Sequence, residues 1–186
     1  MKKIGHDDVI LCAYDPRWRS DFEKEKTYLA KLLEDAGLHP QILHVGSTSI
    51  DNMPSKPIID ILILLSTEEE VMDGMLELIR VGYSFLGDGG RTGRLFLADD
   101  GEPFPHYLHV TTADNQVSKD QMRFKEILQN SHEIMEDYIA VKEQAAALYP
   151  EDRTNYRKMK GLFIDAVLRS YEAGISRSIS VEGKQT

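Results

Sequence analysis

The chain has 186 residues and a formal net charge of −9, from 22 Lys plus Arg against 31 Asp plus Glu. So acidic a chain suits nonspecific DNA or RNA binding poorly, because that binding needs a basic footprint. The single Cys12 excludes an intramolecular disulfide, and no apolar run reaches the roughly 18 residues of a membrane span.

From the first residues on, Lys2 and Lys3 lack the apolar stretch of a secretory leader, so a cytoplasmic location without a membrane partner is expected. Asp15-Pro16 reads as a helix N-cap followed by Pro at the first helical position. Trp18, Phe22, Leu29, Leu32, Leu33 and Ala36 recur at helical spacing behind it, and Gly37 ends the helix. Ile42 to Val45 is β-compatible and stops at Gly46. Pro57 to Leu65 is an apolar run broken only by Asp60, which predicts a central strand buried on both faces. Ser66-Thr-Glu-Glu69 fits a capping box and opens a helix to about Arg80. Tyr83 to Leu86 and Arg94 to Ala98 read as a hairpin around the Gly-rich loop 87–93, and Pro105 to Thr112 as the next strand. Three helices follow, over about Lys119–Gln129, His132–Leu148 and Asp152–Glu172. The pattern predicts an α+β fold in one domain, residues 1–173. Residues 174–186 are Ser-, Gly- and charge-rich, without an apolar stripe, and are expected to form a disordered tail.

Asp60 is the residue in this pattern that demands chemistry. A carboxylate in a buried strand is costly unless a cation, a metal or hydrogen-bond donors meet it. Gly46-Ser47-Thr48-Ser49 just upstream offers hydroxyls, small residues and backbone N–H groups, the makings of a phosphate-cradling turn. An ordinary turn, with Asp60 in a buried ion pair, explains the same residues. Lys56, at the mouth of the Asp60 strand, is placed to meet Asp60 or a phosphate as a point charge. Arg94 begins the strand after the Gly-rich loop, and its fork suits a phosphate or carboxylate. His106 and His109 lie three apart in one strand and so point to opposite faces. His44 is a candidate border of the pocket, or else a sheet residue with a satisfied ring nitrogen.

A hydrophobic-Gly-Ser turn followed after ten to twelve residues by an acidic residue in an apolar strand resembles the nucleotidyltransferase superfamily that includes DNA polymerase β. Within it, His44-Val-Gly-Ser-Thr-Ser with Lys56-Pro-Ile-Ile-Asp-Ile resembles the GrpB family. Tyr14-Asp-Pro-Arg-Trp, Leu108-His-Val, Arg123-Phe, and Tyr149-Pro-Glu-Asp-Arg through Tyr156 and Lys160 to Phe163-Ile extend the likeness over roughly residues 8 to 170.

The resemblance implies a nucleotidyltransferase-like mixed sheet with a C-terminal helical segment. It implies Asp60 as a Mg²⁺ ligand, Gly46, Ser47, Thr48 and Ser49 around phosphate, and His109 as base or ligand. Arg123, Lys142 and Lys160 match the family's helical positions, with Tyr156 nearby, and complete an anion pocket. The expected partner is a nucleotide or phosphorylated small molecule. The chain departs from the superfamily in one respect. Acidic-x-acidic is the usual pattern on the Asp60 strand, yet Ile58 and Leu62 stand where the second carboxylate belongs. Two hypotheses follow. One is transfer of a nucleotidyl group from a nucleoside triphosphate to a small acceptor. The other is a non-catalytic nucleotide- or phosphate-binding module, with a CoA-related ligand suggested by family members fused to dephospho-CoA kinase. A metal hydrolase built on His44, Asp60 and His109 is a third.

Overall fold

The structure, a computed structural model, describes residues 9–174. The chain, read above as one domain, divides into two compact units. Among the described residues, one comprises Leu11–Lys125 and the other Val9 and Ile10 together with residues 126–174. The tail expected at 174–186 lies outside the described residues from 175 onward.

In the first unit, α1 (Arg17–Asp35) leads to β1 (Gln41–Val45), a short 3₁₀ turn (Ser47–Ser49) and β2 (Ile59–Leu65). Then come α2 (Glu68–Arg80), β3 (Ser84–Phe85), β4 (Leu95–Ala98), β5 (His106–Thr112) and the start of α3 (Gln116–Asn130). The five strands form one sheet in the order β1-β2-β5-β4-β3. β2 and β5 are parallel, and the other pairs are antiparallel. This is the expected α+β arrangement, with a mixed sheet flanked by helices.

Alternation along the strands separates two faces. Ile59, Ile61 and Ile63 join Leu97, Leu108 and Val110 in the main core, covered by Trp18, Phe22, Leu29 and Leu33 of α1 and Val71, Met75 and Leu78 of α2. Val45, Leu62 and Leu64 form a smaller cluster on the other face, with Met122 of α3 against it. Asp60 belongs to this second face and is the one residue of β2 that is not buried.

Two helix starts are shifted by one residue from the sequence reading. α1 begins at Arg17 with Pro16 in the cap position, and Asp15 Oδ1 accepts from the Arg17 N–H at 2.9 Å. At α2 the cap is Thr67, whose Oγ1 accepts from the Glu70 N–H at 3.1 Å, while Glu70 Oε2 takes the Ser66 N–H at 2.8 Å. The reciprocal capping is therefore made by Thr67 and Glu70, because the helix axis places the third residue after the cap over the free amides.

The second unit contains α4 (His132–Leu148) and α5 (Arg153–Glu172). Ser131 caps α4 by accepting from the Ile134 N–H, and Asp152 caps α5 by accepting from the Asn155 N–H. Tyr138 stacks on Phe163 with ring centroids 5.6 Å apart, joining the two helices.

Candidate functional site

Gly46 ends β1 with φ +68° and ψ −175°, a backbone region that only glycine occupies without strain. A Cβ built there would lie 2.5 Å from Asp60 Oδ2, so the absent side chain is what lets the turn close onto the carboxylate. The pairing of Val45 with Asp60 across β1 and β2 sets this register. Asp60 is 31% exposed at its side chain, which leaves the carboxylate reachable from solvent.

His109 comes to Asp60 from β5 because parallel pairing sets Leu62 beside His109, on the Asp60 face. Its Nε2 is 3.1 Å from Asp60 Oδ1. Its Nδ1 is 2.9 Å from Nη1 of Arg94, which is only 6% exposed. Guanidinium nitrogens can only donate, so Nδ1 accepts, and the imidazole proton is left on Nε2 to be donated to Asp60. Arg94 also donates from Nε and Nη2 to the Asp88 carbonyl, at 3.2 and 2.9 Å. Phe96 lies beneath both groups: the guanidinium carbon is 5.1 Å from its ring centroid, and the His109 ring stacks on it at 5.3 Å. Gly89 in the Gly-rich loop passes so close to Arg94 that any side chain there would collide with the guanidinium. The result is a line from the loop through Arg94 and His109 to Asp60. Asp60 and His109 thus stand in one place, as the sequence led one to expect of a shared site. Arg94, read as a fork for a phosphate or carboxylate, is instead buried and bonded to His109 and the Asp88 carbonyl.

The turn residues divide. Thr48 is buried, and its Oγ1 lies 3.2 Å from the Ile58 carbonyl, to which it donates, and 3.1 Å from His44 Nε2. Ser49 donates to the Gly46 carbonyl at 2.7 Å. Both hydroxyls therefore stabilise the turn itself. Ser47 is half-buried beside Gly46. Lys56 is half-buried in the loop that enters β2, and Arg123 is exposed on α3.

His44 does not border Asp60 across the sheet. It pairs with Ile61, on the α1 face, and its ring stacks on Phe22 at 4.6 Å. Burial, and next to it the Lys125 charge, push its pKa down to about 4. Alternation in β1 thus removes it from the hydrolase triad with Asp60 and His109.

Lys142, Tyr156 and Lys160 belong to the helical unit. Lys142 is 2% exposed, with Nζ 5.4 Å from the Tyr138 ring centroid, and Lys160 Nζ sits 4.6 Å from that of Tyr156. Burial, then the neighbouring Tyr138, raises the Tyr156 phenol. Their expected grouping with Asp60 is not carried by either unit alone.

Two features went unread in the sequence. Lys125 of α3 donates to the His44 carbonyl at 2.8 Å, two residues before Gly46. On the opposite face, His106 lies between Asp99, at 2.9 Å from Nδ1, and Asp21, at 3.1 Å from Nε2, with Glu25 at 3.9 Å. Asp21 and Glu25 on the inward stripe of α1 were the signal for this cluster. Tyr83 donates to Glu25 beside it.

Among the described residues no group of three or more His, Cys, Asp and Glu side chains is arranged to hold a metal ion. Asp60 brings one hard oxygen donor, and its imidazole neighbour turns an N–H toward it. Such a donor set does not fit a Mg²⁺ held by the protein alone, since that ion demands near-octahedral oxygen ligation.

Mixed sheet, Gly-Ser turn and strand-borne carboxylate define an α+β protein with a Gly-Ser turn closed against a single acidic residue. The chain belongs to the GrpB family, whose model, described as GrpB protein, matches residues 8–170. It is 31% identical over 159 residues to the UPF0157 protein YqkA of Bacillus subtilis, covering 84% of this chain and 45% of that protein. It therefore spans less than half the length of YqkA. The glutamate-rich protein GrpB of Alkalihalophilus pseudofirmus is 27% identical over 173 residues, 90% of this chain and 98% of that one. The crystal structure of GrpB from Enterococcus faecalis superposes with a TM-score of 0.68 at 28% identity, over 86% of this chain and 99% of that chain. A weaker likeness, TM-score 0.47 at 11% identity over 73% of this chain and 44% of the other, is to the Cid1 poly(U) polymerase. Among the described residues no helix is long and apolar enough to cross a membrane.

Proposed function

We propose that this protein binds a nucleotide or a phosphorylated small molecule at the Asp60 face, as a binding module. The observation that carries this reading is the closure of the Gly46 turn onto a half-exposed carboxylate that already accepts from His109. Phosphate oxygens are received by the Gly46-Ser47 backbone and the Ser47 hydroxyl, with Lys125 as the cation, held on the His44 carbonyl two residues before Gly46. Asp60 accepts from a hydroxyl or amine of the ligand, or adds one oxygen to a Mg²⁺ that the ligand's phosphates carry in. Nucleotidyl transfer is the second reading, favoured by the apposition of the Gly-Ser turn and Asp60. Against it, Leu62 and Ile58 replace the second carboxylate, and the Arg94 bond leaves His109 no open acceptor to serve as base.

Calorimetric titration with ATP, with and without Mg²⁺, on wild type and Asp60→Asn tests the choice. ATP binding strengthened by Mg²⁺, with that dependence lost in D60N and no pyrophosphate released, is the expected result. Pyrophosphate release in the presence of an acceptor moves the protein to the enzyme reading. No binding of ATP, other triphosphates or CoA under either condition overturns both.

A further inference from the structure

We propose that Arg94 is a positioning residue that acts on Asp60 through His109 and ties the carboxylate to the Gly-rich loop. This rests on the binding role assigned to Asp60 above.

Three observations carry it. First, the guanidinium uses two nitrogens on one loop carbonyl, that of Asp88, and a third on His109. Its plane is therefore fixed by the loop before it meets the imidazole. Second, the orientation of an imidazole determines which nitrogen holds the proton. An always-charged donor on Nδ1 selects the neutral Nε2–H form, because neither the other tautomer nor the imidazolium has a lone pair to offer there. Third, the Nε2–H is donated to Asp60 Oδ1 while Oδ2 lies against Gly46, so the bond from His109 helps set the carboxylate's orientation beside the turn. Phe96 holds the pair in register from below, contacting guanidinium and imidazole on one ring. Gly89 is needed for the loop to pass over the guanidinium, so the loop is shaped to Arg94 and not merely tethered by it.

The arrangement has a functional content beyond packing. Asp60 meets a ligand as an acceptor-only anion oriented by its bond from His109. Its orientation sets the direction from which a ligand hydroxyl or amine is accepted beside the turn. Displacing loop 87–93 removes the Asp88 carbonyl from Arg94, frees the guanidinium to turn, and with it the imidazole. The conformation of the loop is thereby read out as the orientation of Asp60.

Nitrogen-15 NMR of the ligand-free protein tests this, with the His109 signals assigned by their loss in His109→Gln. The expected spectrum has a single imidazole proton on Nε2 and a coupling across the hydrogen bond between Arg94 Nη1 and His109 Nδ1. In Arg94→Met, Nδ1 loses its donor and its signal moves. Arg94→Lys, which offers one donor but no fork, restores the Nδ1 signal without re-anchoring loop 87–93. ATP binding is expected to weaken about tenfold in R94M, the equivalent of one hydrogen-bond network to Asp60 lost. A proton on Nδ1 in the wild type, or an Nδ1 signal unchanged in R94M, overturns the proposal. The wild-type measurement decides it even if R94M does not fold. An ATP titration that moves no resonance overturns the nucleotide reading alone, because the His109 tautomer in the ATP-free protein is read independently.

Discussion

His106 and His109 are three residues apart on β5 and face opposite sides of the sheet. His106 is enclosed by carboxylates: Asp99 and Asp21 at its two nitrogens, and Glu25 nearby. Burial alone lowers its pKa, but the bond to Asp99, the charges of Asp99 and Glu25, and the bond to Asp21 outweigh it, and the net shift is upward. With each ring nitrogen set against a carboxylate oxygen it donates from both, and so ties α1 to the β4–β5 connection. His109 has one carboxylate and one guanidinium, so it is a neutral donor–acceptor. The same side chain is a brace on one face and a relay on the other. The difference lies wholly in what the two neighbours can donate or accept. A buried cation facing several acids holds structure; a neutral imidazole facing a half-exposed acid directs that acid toward solvent.

The largest expected effect tests the brace. His106→Leu leaves Asp21 buried without its cation, and Asp99 and Glu25 repelling it. A loss of about 3–5 kcal/mol is expected by urea denaturation, as for a buried ion pair broken from one side. A loss under about 1 kcal/mol, the size of one ordinary hydrogen bond, would refute the brace.

The pH dependence sharpens the contrast further. The folded pKa of His106 lies above its ordinary 6.5. The stability it contributes is complete below that ordinary value and is lost as pH rises through the folded one. His44 does the reverse. Its folded pKa of about 4 lies below 6.5, so stability falls as pH drops from 6.5 toward about 4. That acid limb is expected to amount to about 3 kcal/mol in the wild type and to be absent in His44→Gln. The alkaline limb should flatten in His106→Gln while the acid limb remains. Unfolding free energies across pH 4 to 9 check both, and an acid limb retained in H44Q assigns it to other groups.

Gly46→Ala probes the other face. The positive φ and the approach to Asp60 Oδ2 make a cost of about 1–3 kcal/mol the expected outcome, with ATP binding reduced beyond what the lost stability explains. Equal ATP affinity in a folded G46A would show that the turn does not receive the ligand. The smallest effect belongs to His109→Gln, about 1 kcal/mol, since Asp60 is 31% exposed and water replaces the lost bond. If H109Q proves as damaging as H106L, the distinction between brace and relay fails.

Periodicity and turn chemistry made most of the fold legible. The apolar run at Ile59–Leu65 with its lone Asp60, the stop at Gly46, the helix spacing of α1 and α2, and the Gly-rich hairpin loop all express local constraints written in consecutive residues. The opposite facing of His106 and His109 followed from the two-residue period of a strand. The bounds that slipped, at Arg17 and Thr67, slipped by single residues because neighbouring caps compete for the same free amides.

What the sequence by itself determined, then, is which elements form, which stripe of each is buried, and that Asp60 is out of place in its strand. The tertiary structure alone decided which groups meet Asp60. Parallel pairing of β2 with β5, strands separated by a helix and a hairpin, brings His109 to it; the antiparallel return of β4 brings Arg94. The same step turned His44 away toward Phe22 and drew Asp21 of α1 onto His106. Strand periodicity fixes which face a side chain takes, but not which distant residue waits there. That partner is set by sheet order and register, which depend on the packing of the whole core.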